Sequence, residues 1–418
     1  MISYRDKKVT VVGLARSGLA AAGLLKKLGA DVTVTEAKRS GQLERLARDL
    51  GQEGIAVELG GHSRAAVLGR DLLVLSPGVR QDALPVVWAA EEHIEVISEL
   101  ELAASVCPAT IVAITGTNGK TTTTTLVGEI LKASGRKAFV LGNIGTPFCA
   151  HVLEMKKDDA VSLEVSSFQL ETIRAFHPHV AVILNLTPDH LDRYRDVAEY
   201  LGAKKRIYMN QGRGDWLVLN ETDEALKALA DGSPARVLFF GKNPQDADFN
   251  QNEQAALAVA AALGLDRRVC LEVFKNFKGV EHRMEFVRVL DGVEYLNDSK
   301  ATNIDSTIWA LRNVKKPVVL IAGGREKGSD FRSIADLVRQ KVKFVVLVGE
   351  ASDRIASAWR SIVPLEQVAT FEQAVQSARQ HARAGDCVLF SPMCKSFDMF
   401  TDYEHRGRTF KELVAHLI

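Results

Sequence analysis

The sequence predicts an α/β protein of three domains with parallel sheets. Three observations carry this. Short apolar runs alternate with stretches of helical spacing along the whole chain, the pattern of strands joined by crossover helices. Each run stops at a glycine or a polar cluster, where ligands collect in open α/β sheets. A length of 418 residues exceeds what one hydrophobic core organises. The expected division is 1–98, 99–281 and 282–418.

The totals bound the function. A hydrophobic share of 46% with 25% charged residues is that of a soluble globular chain. The 53 basic residues nearly cancel the 52 acidic ones, and no basic stripe or tail suits nucleic acid or an anionic membrane. No apolar run approaches the about 20 residues of a membrane span. Met1 to Asp6 is polar and leads straight into a strand, so no signal peptide is expected there. Five scattered cysteines (Cys107, Cys149, Cys270, Cys387, Cys394) lack metal-type spacing and suit reduced thiols. A cytoplasmic monomer is the expectation.

The first block opens with a strand over 8–12 that runs into Gly13-Leu14-Ala15-Arg16-Ser17-Gly18. A helix follows from Ser17 to Leu28, capped by Gly29. Strands over 31–35 and 71–75 end at Glu36 and at Ser76-Pro77-Gly78. The turn resembles a dinucleotide loop with Ala15 in place of its middle glycine, and Glu36 sits where a ribose-binding acid would. From these residues alone, an NAD domain and a merely structural turn are both open.

The second block holds Ile111-Val-Ala-Ile-Thr115, then Gly116-Thr117-Asn118-Gly119-Lys120-Thr121, then a helical pattern from Thr122 to about Leu131. Strand, glycine loop, Lys-Thr and helix together make a P-loop-type phosphate cradle: backbone N–H groups and the helix N-terminus face phosphate oxygens. Lys120 reaches the outer phosphates and the Thr121 hydroxyl suits Mg²⁺. The general pattern needs glycine at 114, where Ile114 stands, so this is a shorter variant. Glu164 lies near the end of a strand over 160–165, in an apolar setting where a lone carboxylate is costly and a cation, bound metal or salt-bridge partner, is expected. A strand over 180–186 leads to Asp189, His190 and Asp192 crowded on one turn. Lys204, in Ala203-Lys204-Lys205-Arg206, reads by pattern as a solvated helix face.

In the third block, strands over 293–296, 317–322, 344–348 and 387–390 are expected. Three of them end in polar loops: Asn297 to Asn303, Gly323 to Gly328, and Ser391 to Asp398. Lysines and backbone donors there suit a small anionic substrate with carboxylates. Cys394 reads as a bystander.

With these motifs in order, the chain resembles the Mur ligases over essentially its whole length, and within them most the members that add D-glutamate to UDP-N-acetylmuramoyl-L-alanine. Gly-Thr-Asn-Gly-Lys-Thr at 116–121 is shared with folylpolyglutamate synthases. More specific are Glu-Val-Ser-Ser-Phe-Gln-Leu at 164–170, Asn-Leu-Thr-Pro-Asp-His-Leu-Asp-Arg at 185–193, Asn-Asp-Ser-Lys-Ala-Thr-Asn at 297–303 and Ser-Pro-Met-Cys-Lys-Ser-Phe-Asp-Met-Phe at 391–400. The resemblance implies a Rossmann-like N-terminal domain holding the UDP end, a central P-loop ATPase-type domain and a Rossmann-like C-terminal domain.

It also implies residue roles. Ala15, Arg16, Glu36, Ser76 and Gly78 lie near the uridine diphosphate, and Asn143 meets the substrate. Gly116, Thr117, Asn118, Gly119, Lys120, Thr121 and Thr122 hold ATP, with Arg283 and Asp298. Thr121, Glu164, His190 and a carbamylated Lys204 serve magnesium; the adjacent Lys205 leaves that register open by one. Lys120, His190, Lys204 and Lys300 are the catalytic candidates, with His190 a candidate base. D-glutamate meets Thr302, Lys327, Ser396 and Phe397. Two positions depart from the family: Ala15 stands for a common glycine, and Gln251 and Gln254 stand where adenine-contacting asparagines are usual. The reaction implied is amide formation through an acyl phosphate. A folylpolyglutamate-synthase-like ligase and a non-catalytic nucleotide switch are the rivals.

Overall fold

The computed structural model describes residues 3–143, 145–189, 193–326 and 328–418. Contacts divide the chain into two compact units, one of residues 1–188 with 196–277, the other of 189–195 with 278–418.

The first unit contains two parallel sheets. One has the order β3-β2-β1-β4-β5, from β1 Lys8–Val12, β2 Asp31–Glu36, β3 Ala56–Leu59, β4 Leu72–Leu75 and β5 Glu95–Ser98. The other has the order β11-β10-β9-β6-β8-β7, from β6 Thr110–Thr115, β7 Ala138–Gly142, β8 Ala160–Glu164, β9 Val180–Ile183, β10 Trp216–Asn220 and β11 Arg236–Phe240. Strands covered on both faces must be apolar throughout. Accordingly β4, β8 and β9 are buried at every position. One apolar cluster runs from Val9, Leu24 and Leu25 under the first sheet to Phe148, Val161 and Phe176 under the second, so the two sheets share a core.

The second unit carries a sheet of order β12-β13-β17-β14-β15-β16, from β12 Glu285–Leu290, β13 Val293–Asn297, β14 Val318–Gly323, β15 Val342–Val348, β16 Leu365–Val368 and β17 Cys387–Met393. Only the edge strand β12 runs antiparallel to its neighbour.

The predicted boundaries need three corrections. The helix after the glycine loop begins at Lys120, two residues early, because Gly119 in the left-handed region (φ +82°) starts it. Strand β9 stops at Ile183, where Leu184 to Asn185 turn back to the loop after β6. Strand β17 runs on to Met393, so Ser391 to Met393 belong to a buried strand and the polar loop begins at Cys394. Among the described residues, no helix is long and apolar enough to cross a membrane.

Gly142 shows how tightly the central sheet is built. It has φ +119°, and a Cβ there would lie 2.2 Å from the Glu164 carbonyl oxygen of the neighbouring strand. Gly142→Ala is expected to cost about 3 kcal/mol and to lower Tm by roughly 5–10 °C in a thermal melt; an unchanged Tm would contradict this packing.

Candidate active site

Sheet order decides which loops meet. In the first sheet the direction of winding reverses between β1 and β4, the place where open α/β sheets bind ligands. The turn Gly13 to Gly18 leaves β1, and Ser76 to Gly78 leaves β4. Ser76 Oγ donates to the Gly13 carbonyl at 3.0 Å, and a Cβ on Gly18 would fall 1.9 Å from that carbonyl oxygen. Glu36 Oε2 accepts from Leu14 N at 2.8 Å and Oε1 from Lys38 N at 2.9 Å. Glu36 and Ser76 therefore fasten the turn itself. Ala15 and Arg16 are exposed at the start of the helix Arg16–Lys27, which has no side-chain cap, an arrangement that suits an anion. Gly78 is also exposed.

In the central sheet β6 lies between β9 and β8, so the loop 116–119, Glu164 and Asn185 are neighbours. Asn185 Oδ1 accepts from Asn118 N at 2.8 Å, and its Nδ2 donates to Asn118 O at 3.0 Å, clamping the loop. The loop's two ends have room only for glycine: a Cβ on Gly116 would meet Leu184 Cβ at 2.9 Å, and one on Gly119 would meet Asn252 Oδ1 at 2.4 Å. Glu164 is 2% exposed. Its two oxygens accept from Thr121 Oγ1 at 2.7 Å and Asn143 Nδ2 at 3.1 Å. Thr122 Oγ1 is buried without a hydrogen-bond partner among the described residues.

Two cations converge on one oxygen here. Lys120 Nζ donates to Gly116 O at 2.9 Å and Thr117 O at 2.8 Å, and Lys204 Nζ donates to the same Gly116 O at 2.9 Å. Two ammonium groups so placed repel by roughly 3 kcal/mol at an effective dielectric of about 20. An anion bound at the loop would be attracted by both. Lys204 is 1% exposed and stacks on the Tyr200 ring at 4.4 Å, whereas Lys205 is exposed. The reading of Lys204 as a solvated face by pattern is thus corrected: the end of its helix packs against the loop, which buries it.

The second unit gathers the remaining candidates at the ends of β13, β17 and β14. Asp298 is buried; Ser391 Oγ donates to it at 2.8 Å and Met284 N at 3.2 Å. Lys300 lies over the Tyr403 ring at 5.5 Å. Arg283 Nε is buried without a hydrogen-bond partner among the described residues. Thr302 is half-buried, Ser396 buried and Phe397 exposed. The buried Arg406 ties two of these loops together, donating to Ser299 Oγ and O at 3.1 and 2.7 Å and to Cys394 O at 3.1 Å. His190 and Lys327 lie outside the described residues, as does Asp192.

Other residues escaped the sequence reading. Asn252, and not Gln251 or Gln254, touches the phosphate loop, accepting from Thr123 Oγ1 at 3.3 Å. Gln254 is spent on the Asp246 and Phe249 carbonyls, and Gln251 reaches Thr222. A Glu281–His282–Glu285 cluster has ligand-type spacing, but Lys411 already fills it, its Nζ 2.6 Å from Glu281 and 2.9 Å from Glu285.

Burial raises the Asp298 pKa to about 7, against the opposing pull of Arg283 and its hydrogen bonds. The folded chain keeps this proton where the unfolded chain has released it. The group's contribution to stability therefore falls as pH rises from about 4 to 7 and is lost above. Asp298→Asn is expected to gain stability relative to the parent by about 1–3 kcal/mol between pH 5 and pH 8 in urea titrations; a difference independent of pH would contradict the buried, protonated carboxyl.

Comparison with known proteins identifies the family. Residues 7–98 match the MurD-like N-terminal domain of Mur ligases, 114–263 the Mur ligase middle domain, and 282–394 the Mur ligase glutamate ligase domain. A UDP-N-acetylmuramoylalanine–D-glutamate ligase of Pelotomaculum thermopropionicum is 43% identical, over 99% of this chain and 98% of that one. One from Geotalea uraniireducens is 44% identical over the same shares. The crystal structure of a UDP-N-acetylmuramate–alanine ligase from Thermotoga maritima shares the fold, with TM-score 0.63 and 20% identity over 98% of this chain and 99% of that one. Full-length identity above 40%, with a glycine loop, a buried strand-end glutamate and polar strand ends where three Mur ligase domains match, makes this chain a member of the Mur ligase family.

Proposed function

We propose that this chain is an ATP-dependent, ADP-forming ligase that joins D-glutamate to the carboxylate of UDP-N-acetylmuramoyl-L-alanine in peptidoglycan precursor synthesis. The observation that carries the reading is the convergence of Lys120 and Lys204 on the glycine loop beside the buried Thr121–Glu164 pair. It is supported by likeness to ligases of that name along the whole chain. Domains of 1–98, 99–281 and 282–418 accommodate the three matched segments, and the match at 7–98 favours this reading over a folylpolyglutamate-synthase-like ligase. A cytoplasmic monomer remains the proposed state.

The residues suit their roles. The ATP phosphates would sit in the loop 116–122, and Lys120 would exchange the Gly116 and Thr117 carbonyls for phosphate oxygens, stabilising the transferring phosphoryl group. Thr121 and Glu164, with His190 and a carbamylated Lys204 in the roles the family resemblance implies, would offer hydroxyl, carboxylate, imidazole and carbamate donors. Magnesium held there would neutralise phosphate charge. Carbon dioxide joining the neutral Lys204 amine releases a proton and leaves an anionic carbamate. That group keeps one N–H to donate to Gly116 O, and the clash of cations disappears.

The turn with Ala15 and Arg16, braced by Glu36 and Ser76 and followed by Gly78, would hold the uridine diphosphate. Asn143 would meet the muramoyl end. The substrate carboxylate then attacks the γ-phosphate in line and ADP departs. The amine of D-glutamate, held by Thr302, Lys327, Ser396 and Phe397, attacks the acyl phosphate carbonyl, and phosphate leaves as the amide forms. Lys300, Asp298 and Arg283 would serve the nucleotide phosphates.

Phosphate release measured with the UDP-sugar and a panel of amino acids should respond to D-glutamate alone; equal response to L-glutamate would contradict the substrate assignment. Lys120→Ala should cut this release by about 10³-fold or more with the melting curve unchanged. Lys204→Ala should be inactive and regain turnover with added short carboxylic acids, which replace the carbamate; absence of rescue counts against the carbamate.

A further inference from the structure

Glu99 is fully buried, at 0% exposure, and takes no part in the roles above. It stands where the chain passes from the first sheet to the central one: Ser98 ends β5 and caps the helix Glu99–Val106, accepting from Glu101 N at 3.2 Å. Gln169 Nε2 donates to Glu99 Oε1 at 2.9 Å, and Oε2 has no hydrogen-bond partner among the described residues. The Ser17 side chain comes near this carboxyl, and Cys149 Sγ donates to the Glu99 backbone carbonyl at 3.2 Å. Ser17 is in the first turn of the helix that opens beside Ala15 and Arg16.

The other side of this contact leads to the phosphate site. Gln169 Oε1 accepts from Ser166 N at 2.9 Å and Ser166 Oγ at 3.0 Å, closing a capping box two residues beyond Glu164. Burial pushes the Glu99 pKa up to about 7. A half-satisfied carboxyl is costlier to bury than an apolar side chain of its size. Packing alone gives no reason for it, whereas a fixed polar link does.

We propose that Glu99 is a positioning residue whose carboxyl joins the end of β5 in the first sheet to the Gln169 segment of the central sheet, and so sets the span between the diphosphate anchor and the Thr121–Glu164 pair. The inference rests on the ligase reading. Attack in line needs the reacting atoms within about 3–3.5 Å, and a misplacement of about 1 Å costs on the order of 10²-fold in rate. Glu99 thus acts on turnover without touching either ligand.

The test uses the full chain, with kcat for D-glutamate-dependent phosphate release and separate calorimetric titrations of UDP and ATP. Glu99→Ala should lower kcat about 10²-fold while both dissociation constants stay within about twofold. Glu99→Gln, which matches the shape and hydrogen bonding of the neutral carboxyl, should keep kcat within a few-fold of the parent. Undiminished kcat in Glu99→Ala overturns the proposal. So does loss of UDP or ATP affinity in step with kcat, the mark of a merely structural role, and so does a Glu99→Gln as slow as the alanine variant. If Glu99→Ala does not fold, Gln169→Ala cuts the same link from the other side and must show the same split; an unchanged kcat there overturns it. An inactive parent chain defeats the ligase reading, whereas an active parent with an equally active Glu99→Ala defeats only the positioning role.

Discussion

A carboxylate taken out of water at the end of a buried strand organises the centre of this protein. Glu164 closes β8 with 2% exposure, and burying an unpaired anion costs several kcal/mol. Its two oxygens are met from opposite sides, by Thr121 after β6 and by Asn143 after β7. Both partners are available because β8 lies between β6 and β7. Gly142 lets β7 press onto the Glu164 backbone. Strand order, a glycine and two hydrogen bonds thus hold a negative group beside the mouth of a glycine loop.

The loop supplies the opposite charge. Two lysines from different elements, the start of the helix after β6 and the helix Val197–Lys205, reach a single carbonyl. Of the two, Lys120 keeps its charge in the proposed reaction, so a cation is in place before any phosphate arrives, and such preorganisation is where enzymes gain most of their rate. The first sheet repeats the economy of parts. Glu36 and Ser76 do not wait on the ligand; they shape the turn that would receive it.

The sequence reading succeeded and failed along one physical line. The strands it named in the first two sheets (β1, β2, β4, β6, β8 and β9) and in the third (β13, β14, β15 and β17) are interior strands, whose two-sided burial writes continuous apolar runs. The edge strands β3, β5, β7, β11, β12 and β16 went unnamed. The partly exposed positions of β3, β5, β12 and β16 mix polar and apolar residues and leave no period to read, whereas β7 and β11 are short apolar runs that were missed. Interior β10 was also missed.

Site residues divide likewise. Lys120, Thr121 and Glu164 were legible because a motif or a strand end marks them. Lys204 was visible only through family resemblance, since its burial comes from tertiary packing that local spacing does not encode. Glu99, Asn252 and Arg406 carry no local signal: each sits in an ordinary helical stretch and acquires its partners from segments 70 to 129 residues away or, for Arg406, from the Ser299 and Cys394 loops.

In the proposed reaction the glycine loop and Lys120 activate a carboxylate by phosphorylation. The most direct measurement is mass analysis of the phosphate released when UDP-N-acetylmuramoyl-L-alanine carries ¹⁸O in its terminal carboxylate. Attack of that carboxylate on the γ-phosphate, followed by displacement at carbon, predicts one ¹⁸O in each phosphate released. Phosphate free of the label would contradict the account.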